Sequence, residues 1–463
     1  MRAIASLRVD DVAVVWFRRD LRLGDLPSMT AAADRAERAL ALFVLDDALL
    51  TPAGHPRRTF LYRCLRELDA ALDGKLLLVH GNPVDIVPQI ARAVQATSVH
   101  ISADYGPYGS LRDAAVRENL ATDGELVETG SPYAVAPGRV VKGDGQPFRV
   151  FTPFRRAWAE HGWRPPADTS ATTLDWLAPG DTDIDGSSVP DDDVGEATLP
   201  PAGEQAARQR WQEFLHENVA GYRDERNRPD HDSTSRLSPY LKYGCIHPRT
   251  LLADLAGHTS SGAQTFVTEL AWREFYADVL HRQPDSARQH YDRRFDAITY
   301  RTGPDADADF HAWATGRTGY PIVDAGMRQL LAQGWVHNRL RMIVASFLTK
   351  DLHLSWTRGA RHFMQHLVDG DLASNQHGWQ WTAGSGADAS PYFRVFNPTM
   401  QGEKFDPHGD YVRRWIPELR GVTGVAVHTL PDGVPQGYLA PIVSHAHERA
   451  VALDRYAAVK NAT

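Results

Sequence analysis

One change of pattern divides this chain and limits what it can become. Up to about residue 160, short β-branched runs alternate with amphipathic stretches: "VAVVWF" (12 to 17), "ALALFVLD" (39 to 46), "KLLLVHG" (75 to 81) and "SVHISAD" (98 to 104). Between them lie helical patterns such as "RRTFLYRCLRELDAAL". That alternation is the mark of βαβ units on a parallel sheet. Beyond 204 the strand-like runs nearly vanish. Helical periodicity takes over at 204 to 219, 264 to 281, 323 to 334, 337 to 353 and 358 to 368. From about 163 to 203 the chain is rich in Pro, Asp, Gly, Ser and Thr, a composition that reads as a long surface linker. The expectation is an α/β unit, a connection and an all-α unit.

Length agrees, since 463 residues exceed one typical core. The formal net charge of -8 argues against a general nucleic-acid coat. A local basic surface remains open, because screening confines such fields to about 8 to 10 Å. Residues 315 to 361 carry seven Arg or Lys against two Asp, which suits phosphate binding or a solvated basic helix face. The two cysteines, Cys64 and Cys245, lack CxxC spacing, so neither a disulfide framework nor a four-cysteine metal site is expected. No run approaches the ~20 apolar residues of a membrane span, and the N-terminus lacks an apolar leader core. A cytoplasmic protein is expected. "RRDLRLGD" follows the first strand where a dinucleotide fold would place GxGxxG, so that device is absent.

Four segments carry candidate chemistry. In "TFVTELAWREFYADVL" (265 to 280), Phe266, Glu269, Trp272 or Arg273, and Tyr276 share a helical face. Glu269 is therefore either a core carboxylate paired with an Arg or a polar group in an aromatic site; in both cases a donor must meet it. In "GWVHNRLRMIVASFL" (334 to 348), Asn338, Arg341, Met342 and Ala345 share a face. Thr234, Ser235, Arg236, Leu237 and Ser238 precede Pro239 and read as a helix entry with hydroxyls and N–H groups for an anion, or as an ordinary cap. "DGDLASNQHGWQW" (369 to 381) gathers Asp369, Asp371, Asn375, Trp379 and Trp381. On a helix the two tryptophans address different neighbours, whether a core or a cleft.

Together these segments resemble the cryptochrome/photolyase family, and within it the microbial class I cyclobutane pyrimidine dimer (CPD) DNA photolyases. The resemblance runs through "VVWFRRDLRLGD", "TSRLSPYLKYG", "ELAWREFY", "GRTGYPIVDAGMRQLLAQGWVHNRLRMIVASFLTKDL", "DGDLASNQHGWQWTAGSGADASPYFRVFNP" and "GEKFD". It implies an α/β domain on a five-stranded Rossmann-like parallel sheet (1 to 135), an interdomain linker (136 to 203) and a helical FAD-binding domain (204 to 463). FAD contacts carried over are Tyr222, Thr234, Ser235, Arg236, Leu237, Ser238, Phe266, Arg273, Asn338, Arg341, Asp369, Gly370, Asp371 and Asn375. Asn375 is placed at flavin N5, where a neutral amide favours the reduced flavin without offering a proton.

The resemblance also implies a lesion pocket of Arg226, Glu269, Trp272, Asn338, Met342 and Trp381. Glu269, Asn338 and Asn375 are its catalytic groups. A flipped pyrimidine dimer would enter such a pocket at an extrusion cost of a few kcal/mol. Light-excited reduced FAD would give the dimer an electron and receive it back after ring opening. Electrons for the flavin would pass along Trp379 and Trp356. A third Trp is missing, with Tyr300 at about its place and Trp313 as the neighbouring alternative. For an antenna, "ADYGPYGSLRD" puts Tyr108 and Gly109 where folate-binding relatives carry Asn-Glu. Arg57, Asp104 and Lys242 match 8-hydroxy-5-deazaflavin contacts instead. Methenyltetrahydrofolate, FMN or an empty pocket are the alternatives.

The implied protein is a monomer that binds UV-damaged DNA, with no membrane and no obligate protein partner. The rivals are a cryptochrome photoreceptor, a (6-4) photolyase and an electron-transfer flavoprotein that does not use light. Asn375 and the short C-terminal end oppose the first. Asn338 and Met342, standing where the second needs histidine proton donors, oppose that one.

Overall fold

The computed structural model describes residues 10–391 and 393–461. The N-terminal segment read as lacking a leader lies mostly outside them. Strands β1 (Asp10–Phe17), β2 (Ala36–Leu45), β3 (Leu76–His80), β4 (Ser98–Ile101) and β5 (Glu125–Glu128) form one sheet. Its order is β3-β2-β1-β4-β5 and every pairing is parallel. The four β-branched runs are four of these strands. The expected five-stranded α/β sheet followed by helices is the architecture observed.

The fold departs from the sequence pattern in two places. Asp175–Trp176, inside the stretch read as linker, pairs in parallel with β2 as a sixth, two-residue strand β6. Leu174 and Trp176 are buried there. Two large apolar side chains in a polar stretch were the available signal. The helix expected over 337 to 353 ends as an α-helix at Ser346 and continues as a wider π turn, Phe347–Asp351. Lys350 and Asp351 are buried in that turn, where Lys350 Nζ donates to the carbonyl of Arg394 and Asp351 meets the His445 imidazole. The widened turn thus carries two buried charged groups, each met by a partner from another segment.

Both faces of β1 are covered. Val14 and Trp16 pack with Leu40, Leu42, Ile90 and Val116. Ala13, Val15 and Phe17 belong instead to one core with Phe214, Phe266 and Phe275 of the helical half. At that seam the Cys64 and Cys245 sulfurs lie 3.5 Å apart, both as free thiols. Strand order reverses between β1 and β4, and the crevice at their C-terminal ends opens toward the helices. Among the described residues no helix is long and apolar enough to cross a membrane.

Candidate functional site

A cavity of about 460 Å³ in the helical half is walled chiefly by three helices, with Ser238, Leu241, Lys242 and Phe363 added from two more. The Ser261–Arg282 helix, capped by Ser260, contributes Glu269, Trp272, Arg273 and Tyr276, spaced three or four apart on one face. Asn338, Arg341, Met342 and Ala345 come from Asn338–Ser346 by the same spacing. The Leu372–Ala383 helix adds Asn375, Trp379 and Trp381, and Asp371 caps its N-terminus by accepting from Ser374 N at 3.0 Å. Trp379 is buried and Trp381 half-buried, yet both border the cavity.

The polar groups are held by opposite charges. Glu269 lies 2.7 Å from Arg226, the donor its aromatic setting demanded. Burial still pushes the Glu269 carboxyl up, although Arg226 opposes the shift. Arg341 Nη2 donates to Asp369 Oδ2 at 2.7 Å. Asp371 is half-buried, and desolvation alone would raise its pKa, but Arg19, Lys242 and Arg273 hold it well below the usual carboxylate range. Asn375 donates through Nδ2 to Ala360 O at 3.1 Å and to Gln376 Oε1 at 2.8 Å. Its carbonyl oxygen is thereby the group left for the cavity.

These residues fit a flavin cofactor by one specific test. Asp369 Oδ1 is buried with no hydrogen-bond partner from the protein, which costs free energy unless a donor such as a ligand N–H or O–H meets it. Trp335 borders both the main cavity and a neighbouring one of about 390 Å³ lined by Arg210, Asp232 and Arg236. Its indole donates to Ser238 Oγ at 3.3 Å. The 234-to-238 segment is shaped from outside, since Arg210 donates to the carbonyls of Thr234 and Ser235. Arg236 has a left-handed φ of 49° and pairs with Asp232, while Leu237 is buried. Tyr222 and Phe266 pack on each other and on Phe214 behind the cavity wall. Gly370 sits against Arg57, with space for no larger side chain before Cδ gives way.

The aromatic residues form two groups. Trp379 makes edge contacts with Phe363 at 5.0 Å and with Trp313 at 6.0 Å. A Cβ on Gly359 would overlap the Trp379 ring, so this glycine admits the indole against the helix that Trp356 begins. Trp356 is fully buried with its ring 5.9 Å from His290, and His290 in turn stacks on Tyr300 at 6.4 Å.

Of the three expected antenna contacts, Asp104 follows β4, Lys242 lines the main cavity instead, and Arg57 packs against Gly370. Asp104 accepts from Gly106 N at 3.0 Å and lies within 4.0 Å of Arg19 and Arg112. Lys242 is pushed down to about 7, by burial first and then by Arg19. A Cβ on Gly109 would overlap the Asp104 carboxylate. Arg19, Gly359 and His290 are the residues sequence reasoning missed. "RRDLRLGD" after the first strand was a signal for Arg19; the other two carry none within their own segments.

The family follows from comparison. Residues 266–458 match the FAD binding domain of DNA photolyase, and residues 13–171 match the DNA photolyase model. A deoxyribodipyrimidine photo-lyase of Streptomyces griseus is 42% identical over 457 residues, covering 95% of this chain and 98% of the relative. A bacterial class III photolyase structure from Agrobacterium tumefaciens covers 100% of both chains at 35% identity, with a TM-score of 0.88. An archaeal photolyase from Sulfolobus tokodaii, solved with two FAD molecules, covers 96% of this chain and 99% of its own at 28% identity and TM-score 0.83. The chain belongs to the cryptochrome/photolyase family. The class I expectation is corrected, because this full-length structural match is to a class III photolyase. Four of the segments behind that expectation line the central cavity, and a cavity shaped for one shared cofactor does not carry the class.

Proposed function

We infer that this protein is a DNA photolyase, an enzyme that splits cyclobutane pyrimidine dimers in DNA by light-driven electron transfer from FAD. The observation that carries the reading is one cavity shared by Glu269, Asn338, Asn375, Asp369, Trp379 and Trp381 in a chain of this family. FAD, when bound in its reduced form, supplies the excited electron. The protein binds, orients and polarises.

Asp369, through its unpartnered Oδ1, and Asp371 hold polar edges of the cofactor, with Arg341 fixing Asp369 through its other oxygen. Arg273, Asn338 and Ser238 complete the FAD-binding set from the cavity wall, with Tyr222, Phe266, Gly370 and residues 234 to 237 supporting it from behind. Asn375 turns its carbonyl oxygen to N5, an orientation favoured because its amide nitrogen is already engaged. Trp272, Met342 and Trp381 receive the flipped dimer on apolar and aromatic surfaces. Glu269 and Asn338 bond to its carbonyls, where negative charge arrives, and Arg226 fixes Glu269 and meets the DNA backbone. Trp379, Trp356 and Tyr300 return the flavin to its reduced state.

The N-terminal α/β domain (1 to 135), joined through 136 to 203 to the catalytic domain, holds an antenna at Arg57, Asp104 and Lys242. The antenna is 8-hydroxy-5-deazaflavin rather than methenyltetrahydrofolate or FMN, a reading supported by Tyr108 and Gly109 standing where folate-binding relatives carry Asn-Glu. The enzyme acts as a cytoplasmic monomer. The test illuminates the reduced holoenzyme with oligonucleotides bearing either a cyclobutane dimer or a (6-4) product. Restoration of the first alone is expected; restoration of the second alone overturns the reading.

A further inference from the structure

His290 is a buried imidazole with no part in binding cofactor or lesion. Its Nδ1 lies 2.8 Å from Ser385 Oγ and its Nε2 lies 3.2 Å from the Tyr300 hydroxyl. Its ring also touches Trp356 edge-on at 5.9 Å. One side chain therefore joins an indole to a phenol, bonding the phenol at its acidic proton. The groups around it are the rings of Phe295, Tyr300 and Trp356, the Ser385 hydroxyl, and the charges of Asp292, Arg293 and Asp296. Burial dominates over those charges and favours the neutral imidazole, which has a free lone pair on Nε2 when Nδ1 holds the proton toward Ser385. Burial also raises the Tyr300 phenol, so Tyr300 starts protonated.

We propose that His290 is the base that takes the phenolic proton of Tyr300 as Tyr300 gives up an electron to oxidised Trp356. The proposal rests on the electron-feeding role given above to Trp379, Trp356 and Tyr300. Trp379 loses one electron to the light-excited oxidised flavin, and Trp356 refills it. Tyr300 then refills Trp356. In that last step the Tyr300 O–H bond breaks, an N–H bond forms on His290 Nε2, and the products are a neutral tyrosyl radical, neutral Trp356 and an imidazolium. A phenol that loses an electron becomes a strong acid, so a base already in hydrogen-bond contact takes the proton without its having to escape to solvent.

Flash excitation of the FAD-loaded protein with oxidised flavin tests this by following the tryptophan and tyrosyl radicals in H2O and in D2O. In the unaltered protein the tyrosyl radical rises as the tryptophan radical decays, more slowly in D2O. H290Q keeps an acceptor for the Tyr300 hydroxyl and a donor for Ser385 but no base; tyrosyl formation falls by roughly 100-fold. Y300F leaves the tryptophan radical equally long-lived. Wild-type kinetics in H290Q overturn the proposal, as do equal rates in the two solvents, a comparison that needs no variant to fold. If no tryptophan radical forms in the unaltered protein, the electron-chain reading falls and takes the proposal with it.

Discussion

Arg19 Nη2 lies 2.7 Å from Asp371 Oδ2, tying the loop after β1 to the N-cap of the helix that carries Asn375, Trp379 and Trp381. The pair spans 352 positions of sequence. It joins the switch point of the sheet to the flavin cavity, so the positions of three site residues depend on a contact between the two halves of the chain.

Asp371→Asn keeps a capping side chain but removes the charge that Arg19 and Lys242 face. The pair is partly buried, and taking the charge out of such a bond costs about 1 to 3 kcal/mol, so urea unfolding at neutral pH shows a loss of that order. The native carboxyl titrates below its unfolded value, so its contribution is complete above about pH 3.9. That contribution is lost as pH falls through the native pKa. The stability gap between wild type and variant therefore narrows in acid.

Glu269→Ala lowers the repair yield per absorbed photon, since it removes a group placed where charge arrives and strands Arg226. The comparison with Glu269→Gln separates charge from hydrogen bonding. The Glu269 pKa is raised in the folded protein, which therefore holds its proton more firmly than the unfolded chain. Stability falls as pH climbs from about 4.3, the usual glutamate value, to the native one. In Glu269→Gln that part of the slope disappears from the pH profile of unfolding.

Trp381→Ala weakens binding to dimer-containing DNA by about 1 to 3 kcal/mol, with bound FAD retained at the wild-type level. Titration against damaged and undamaged duplexes checks it. An equal loss on both duplexes would place Trp381 outside the lesion pocket.

Gly359→Ala drives a methyl group into the Trp379 indole, whose neighbours Phe363 and Trp313 leave it nowhere to retreat. Overpacking of this kind costs about 1 to 3 kcal/mol, visible in thermal unfolding. Photoreduction of oxidised flavin slows at the same time, and by a larger factor than repair started from chemically reduced flavin. Trp379→Phe shows the same imbalance without the loss of stability.

Helical spacing within single segments was enough to place Glu269 with Trp272 or Arg273, and Asn338 with Arg341 and Met342, on cavity-facing sides. Period and composition likewise marked the parallel sheet, because strands buried on both faces read as continuous apolar runs. What local pattern could not supply was partnership across the chain. Arg226 for Glu269, Arg19 for Asp371 and His290 between Trp356 and Tyr300 join residues from separate segments. Periodicity is a property of one segment and its solvent, whereas these pairs exist only once the sheet and the helices share a core. The sequence by itself determined the elements and the faces they bury; the tertiary structure decided which charge meets which, since only packing brings distant side chains within hydrogen-bonding reach.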